Sequence, residues 1–196
     1  KEIFELEKDR DKKNNEELSV LIMGGSQSAK VFGEKIPEII VQCYKKNIKL
    51  KIYQQCLEKQ MKEIEEIYNK YKISFKLFSF SEKLSDHYQV SDLAITRSGA
   101  SSIAELTNLR IPFIAIPLPS STDDHQHKNA LNFRKKGYCF LLEEKFIFPK
   151  LFEILEDLNN NREKLLLLKS KMREHSDKDS LSKVSKFIEK FLNEKN

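Results

Sequence analysis

The sequence predicts an α/β fold, a parallel sheet with helices on both faces followed by a helical C-terminal tail. Short, nearly continuous apolar runs alternate with segments of helical spacing, the pattern of buried strands joined by helical crossovers. Glycine- and hydroxyl-rich stretches stand where several strands give way to helices. With 196 residues the chain can bury one good core, so a single main domain is expected.

Residues 1–17 are highly charged, with Ile3, Phe4 and Leu6 as their sizeable apolar groups, and read as a linker or loosely docked lead-in. Residues 18–23 form the first strand. Val31, Phe32, Ile36, Ile39, Ile40 and Cys43 follow at helical spacing, with a kink expected at Pro37. Residues 48–53 read as a strand and 59–70 as a polar helix carrying Met61, Ile64 and Ile67. A strand at 73–78, a short helix at 82–89 and a strand at 93–96 come next. A helix at 101–109, a strand at 113–116 between Pro112 and Pro117, and a helix at 126–136 continue the alternation. Gly137 ends that helix, and residues 138–142 are the last strand. These elements make a domain over 18–145. The tail, 146–196, reads as helical and carries an apolar stripe at Leu181, Val184, Phe187, Ile188, Phe191 and Leu192.

Hydrophobic residues are 39% and charged residues 33%, the balance of a soluble globular chain with a heavily solvated surface. The net charge of +5 is compatible with an anionic membrane face. Acids and bases are interspersed, however, the lysines lack interleaved aromatics, and no groove-reading motif is present, so nucleic acid is not an expected partner. Cys43, Cys56 and Cys139 are widely spaced, which supports neither a disulfide framework nor a zinc knuckle and fits a reducing compartment. No apolar run approaches the ~18 residues of a membrane span. The chain begins at Lys1 rather than methionine and reads as a piece of something longer.

In a parallel sheet of this type, ligands sit at the carboxyl ends of the strands. The loops there carry the chemistry. Gly24-Gly25-Ser26-Gln27-Ser28 offers glycines for positive φ and close backbone approach, followed by helix N–H groups. It can be an anion cradle or a plain strand–helix turn. Thr96-Arg97-Ser98-Gly99-Ala100-Ser101-Ser102 offers a second nest of phosphate size. Glu105, on the helix after it, can accept two hydrogen bonds from a ribose diol or compensate the helix dipole. Ser120–Ala130 reads as a capping stretch, with Thr122 or Asp123 as the cap, running into a helix that places Gln126 and Asn129 on one face. His125 and His127 are two apart and would splay on a helix, so no metal site is expected.

GGSQSA (24–29), ITRSGASSIAEL (95–106), IPFIAIPLP (111–119) and DDHQHKNA (123–130), in this order and spacing, resemble the C-terminal domain of the MurG-type N-acetylglucosaminyltransferases. The resemblance covers about residues 18–145. It implies a Rossmann-like, donor-binding half of a GT-B glycosyltransferase that takes UDP-GlcNAc. The acceptor is undecaprenyl-diphosphate-MurNAc-pentapeptide, and the setting the cytoplasmic side of the bacterial inner membrane, peripherally bound. By the same resemblance Gly25, Ser26 and Gln27 belong to the diphosphate loop. Gly99, Ala100, Ser101 and Ser102 present donors to phosphate, and Glu105 holds the ribose. Main chain at Ser81 reads uracil, and Gln126 and Asn129 hold the GlcNAc hydroxyls. No cofactor is implied.

The chain departs from the family pattern in having Ser28 where glycine is usual, and in a loop before Asp123 about a residue longer than in some members. A family arginine expected just before Lys1 and the acceptor-side half with its candidate catalytic histidine are outside this sequence. No catalytic residue is therefore expected here, and the chain alone should bind donor weakly without turnover. The last apolar helix is expected to cross back onto the other half. Two alternatives share the donor site: a stand-alone donor subunit pairing with a membrane-anchored partner, and a non-catalytic UDP-sugar-binding module.

Overall fold

Six parallel strands form one sheet in the computed structural model, which describes residues 17–79 and 84–173, with 26–29 described by backbone alone. The strands are β1 (Leu18–Met23), β2 (Leu50–Gln55), β3 (Ser74–Phe78), β4 (Leu93–Thr96), β5 (Phe113–Ala115) and β6 (Cys139–Leu141). Their order across the sheet is β3-β2-β1-β4-β5-β6. β1 is central: Val20 lies opposite Ile52 on one side and Leu93 on the other, and Met23 lies opposite Thr96.

The helices are α1 (Gly25–Lys45), α2 (Glu58–Lys70), α3 (Leu84–Val90), α4 (Ala100–Asn108), α5 (His125–Lys135), α6 (Ile147–Asn160) and α7 (Glu163–Arg173). They cover both faces of the sheet, and this explains the unbroken apolar run in β1. Leu18, Val20 and Ile22 pack with Phe32, Ile36 and Ile40 of α1 and with Leu151, Leu155 and Leu158 of α6. Leu21 and Met23 point the other way, into a cluster with Ile103 and Leu106 of α4 and Ala130 of α5. A strand's side chains alternate faces, so a strand buried on both must be apolar throughout.

Three strands begin later than their apolar patterns suggest, for a single reason. α1, α2, α4 and α5 each end with a residue of positive φ: Asn47 (59°), Lys72 (55°), Arg110 (53°) and Gly137 (75°). The next residue donates its N–H back into the last turn: Ile48 to Cys43, Ile73 to Tyr68, Ile111 to Leu106 and Tyr138 to Phe133, at 2.8–3.0 Å. This is the Schellman stop, whose hydrophobic residue after the left-handed one packs on the helix end. Ile48, Ile73 and Tyr138 therefore terminate helices rather than open strands.

At the other end of the sheet, the loop expected over 24–28 is a bend at Gly24 followed by the first turn of α1, which runs unbroken through Pro37. α6 packs on the same face of the sheet as α1. Residues 1–16 of the expected lead-in and the apolar stripe of 181–192, the expected returning helix, lie outside the described residues.

Candidate functional site

The strand order reverses direction between β1 and β4, and each of these neighbours delivers the chain directly into a helix. Two helix N-termini, those of α1 and α4, thus start side by side at the carboxyl edge of the sheet. The first amides of a helix have no intrahelical acceptor, and acids or capping side chains commonly satisfy them. Here no acid does so, and of the α1 amides the Gly25 N–H is taken by the Gln55 side chain. Gly24 and Gly99 are the N-caps, neither makes a side-chain capping bond, and neither first turn contains an acid.

The two glycine bends differ. Gly25 has φ +67°, in the region that favours glycine. Gly99 has φ −61° and ψ 140°, which any residue adopts. A Cβ on Gly99 would meet nothing within 4 Å. The Gly25 N–H donates to Gln55 Oε1 (3.1 Å), whose Nε2 donates to the Ser79 carbonyl (3.3 Å). Gln55, at the end of β2, links the first bend to the chain leaving β3.

An open cleft of about 370 Å³ lies between these elements. Gly25, Gly99, Ser102, Glu105 and Gln126 share its walls, with Gln55, Tyr88 and Arg97 as further members. Glu105 is exposed and stands in the second turn of α4, too far from the N-terminus to compensate its dipole. It accepts a hydrogen bond from the Tyr88 hydroxyl (2.9 Å). Burial, and then the Glu105 carboxylate, push the Tyr88 phenol upward from its ordinary 10.0.

The other expected residues sit around this cleft in different ways. Ala100 and Ser101 lie in the first turn of α4 and are exposed. Ser26 and Gln27 are in the first turn of α1, and Ser81 lies outside the described residues. Gln126 Oε1 accepts from the Leu118 N–H (3.0 Å), and Asn129 Nδ2 donates to the Ser98 carbonyl (3.2 Å), so both side chains tie α5 to neighbouring loops. Neither Thr122 nor Asp123 caps α5. Thr122–Asp124 form a 3₁₀ turn, Asp124 is the left-handed N-cap residue without a side-chain bond, and Ser121 Oγ accepts the Gln126 N–H at 3.4 Å. His125 Nδ1 lies 2.7 Å from the Thr122 carbonyl. Among the described residues no group of three or more His, Cys, Asp or Glu is placed to hold a metal ion.

Sequence reasoning gave no role to Gln55, Tyr88 or Arg97. Arg97 is buried beneath the second bend. Its guanidinium donates to the carbonyls of Ile116 (3.3 Å) and Pro117 (3.1 Å), pairs with Glu144 and lies 4.7 Å from the centre of the Phe32 ring. A charge wedged between a buried strand and a helix start was the available signal for it. A polar residue ending an apolar strand was the signal for Gln55.

The strand order defines a Rossmann-type α/β domain with two acid-free helix starts at its switch point. The chain belongs to the glycosyltransferase family 28 C-terminal domain family, which matches residues 19–189. It is 36% identical over 183 residues to a Pelagibacter ubique protein, UDP-N-acetylglucosamine--N-acetylmuramyl-(pentapeptide) pyrophosphoryl-undecaprenol N-acetylglucosamine transferase, covering 93% of this chain and 51% of that one. The crystal structure of Acinetobacter baumannii MurG superposes with a TM-score of 0.75 at 26% identity, over 87% of this chain and 49% of that one. The C-terminal CMP-Kdo binding domain of WaaA from Acinetobacter baumannii shares the fold, with a TM-score of 0.59 at 12% identity over 88% of this chain and 95% of that one. The chain spans about half the length of the curated relatives it matches.

Proposed function

We propose that this chain is the donor-binding part of an inverting glycosyltransferase that moves GlcNAc from UDP-GlcNAc to undecaprenyl-diphosphate-MurNAc-pentapeptide, making the lipid-linked disaccharide of peptidoglycan synthesis. One observation carries the reading: two acid-free helix starts with glycine N-caps share a cleft with the exposed carboxylate of Glu105. Family membership and the named relatives support the choice of sugar nucleotide and acceptor.

In this reading the diphosphate lies between the first turns of α1 (Gly25, Ser26, Gln27) and α4 (Gly99, Ala100, Ser101, Ser102). Glu105 takes the ribose diol, main chain at Ser81 reads uracil, and Gln126 and Asn129 hold the GlcNAc hydroxyls. Transfer builds positive charge at the anomeric carbon and negative charge on the departing UDP. Amides fixed at two helix starts stabilise that leaving charge without reorganising. The base that deprotonates the acceptor hydroxyl comes from an acceptor-side half, and the transferase works at the cytoplasmic face of the membrane as a peripheral protein. Among the described residues no helix is long and apolar enough to cross a membrane.

Titration of the chain with UDP-GlcNAc, UDP-GalNAc and UDP, followed by amide chemical shifts, tests the site. The expected shifts cluster at residues 24–28, 80–82, 99–105 and 126–129, with UDP-GlcNAc bound more tightly than its epimer. Shifts centred elsewhere, or none, overturn the reading. GlcNAc transfer by the isolated chain overturns the assignment of the base to another half.

A further inference from the structure

We infer that Tyr88 is a positioning residue for the ribose, its hydroxyl holding the Glu105 carboxylate in the orientation that receives the 2′ and 3′ hydroxyls of the nucleotide. The inference rests on the reading of this cleft as a uridine-diphosphate site. Tyr88 comes from α3 and Glu105 from α4, so the bond between them joins two elements across the cleft wall. Tyr88 is 6% exposed and packs in the cluster with Phe78, Leu21 and Ile103, which fixes the point from which the hydroxyl emerges.

Glu105, by contrast, is exposed and carries a long side chain, which otherwise samples many rotamers and loses that freedom when it binds. A donor of fixed position removes much of this loss in advance. The donor uses one acceptor direction of Oε2. A carboxylate offers about four such directions over its two oxygens, so ample capacity remains for the two donors of a vicinal diol. Burial and the neighbouring carboxylate keep the phenol protonated well beyond its ordinary range, so it remains a donor. Packing alone would need only the ring; the hydroxyl has its use in the bond to Glu105.

The test compares the unsubstituted chain with Tyr88→Phe, Glu105→Ala and the double variant. Calorimetric binding of UDP and of 2′,3′-dideoxyuridine diphosphate is measured for each, alongside thermal unfolding. Tyr88→Phe is expected to weaken UDP roughly fivefold, the scale of one typical hydrogen bond. Its affinity for the dideoxy nucleotide should stay within about twofold, and in the Glu105→Ala background it should add no further loss. Equal losses for both nucleotides, a loss that persists without the Glu105 carboxylate, or an unchanged UDP affinity each overturn the inference while leaving the site reading intact. Failure of the unsubstituted, folded chain to bind UDP overturns both.

Discussion

Gly25 and Gly99 each stand at the start of a helix, yet they serve the chain differently. Gly25 is held at φ +67° with open space around its missing Cβ, so Gly25→Ala has no clash and only the backbone conformation to oppose it. That conformation costs an L-residue about 1–2 kcal/mol, and urea unfolding should show a loss of that size. Gly99 has φ −61° and ψ 140°, so Gly99→Ala should change stability by less than about 0.5 kcal/mol, the small N-cap preference for glycine offsetting the reduced freedom of the unfolded chain. The methyl group would nevertheless project into the open space beside the α4 amides. UDP affinity is expected to fall by roughly tenfold or more, a difference of about 1.4 kcal/mol or above, measurable by calorimetry. At this scale the sequence shows which residue types gather at the sheet edge, because glycine, hydroxyl and carboxylate have distinct chemistry. It does not show that the Gly25 amide is taken by Gln55 or that Glu105 leans on Tyr88, since those bonds join residues 30 and 17 positions apart.

Among the elements, the helix stops were only partly legible. Gly137 announces its left-handed conformation by being glycine, whereas Asn47, Lys72 and Arg110 adopt the same conformation with side chains that carry a weaker signal or none. The apolar residue that follows each stop then looks like the opening of a strand. The tie between β4 and the turn leading into α6 was not legible, because Arg97 and Glu144 are 47 residues apart. Arg97 is largely buried, so removing its acid leaves a charge held by two carbonyls and the Phe32 ring without that counter-ion. Glu144→Gln should therefore destabilise the chain by about 2–4 kcal/mol in urea unfolding, toward the lower end because Glu144 retains some solvent contact. Asp157→Asn breaks the ion pair with Lys164, whose partners are both about half exposed, and should leave the unfolding midpoint unchanged. The contrast separates a tie that positions the second helix start from a surface pair of similar geometry.

For the molecule as a whole, alternation of strand and helix foretells a parallel sheet with two covered faces. It leaves the order of the strands open, because the apolar pattern of a strand does not record which neighbours it has. The two faces have a measurable consequence. Cys43 and Cys56 lie in the core on one face and Cys139 in the core on the other, all buried. Burial, with Glu156 adding repulsion, pushes the Cys43 thiol from its ordinary 9.0 up to about 12. Burial also pushes Cys139 up to about 12 and raises Cys56. At pH 8 the folded chain should thus be inert to a thiolate-selective reagent until denaturant exposes the sulfurs. The linkage has a definite sign. A thiol whose folded value is raised stabilises the fold fully below the unfolded value of 9.0, and that contribution is lost as pH climbs toward about 12. Tyr68 and Tyr88, both raised from 10.0, act in the same direction. Urea midpoints measured upward from pH 9 should fall continuously, and Cys43→Ala/Cys139→Ala should flatten the early part of that fall while lowering the midpoint at neutral pH through the cavities it leaves. An unchanged slope in the double variant would show that the two cores do not hold their thiols out of water.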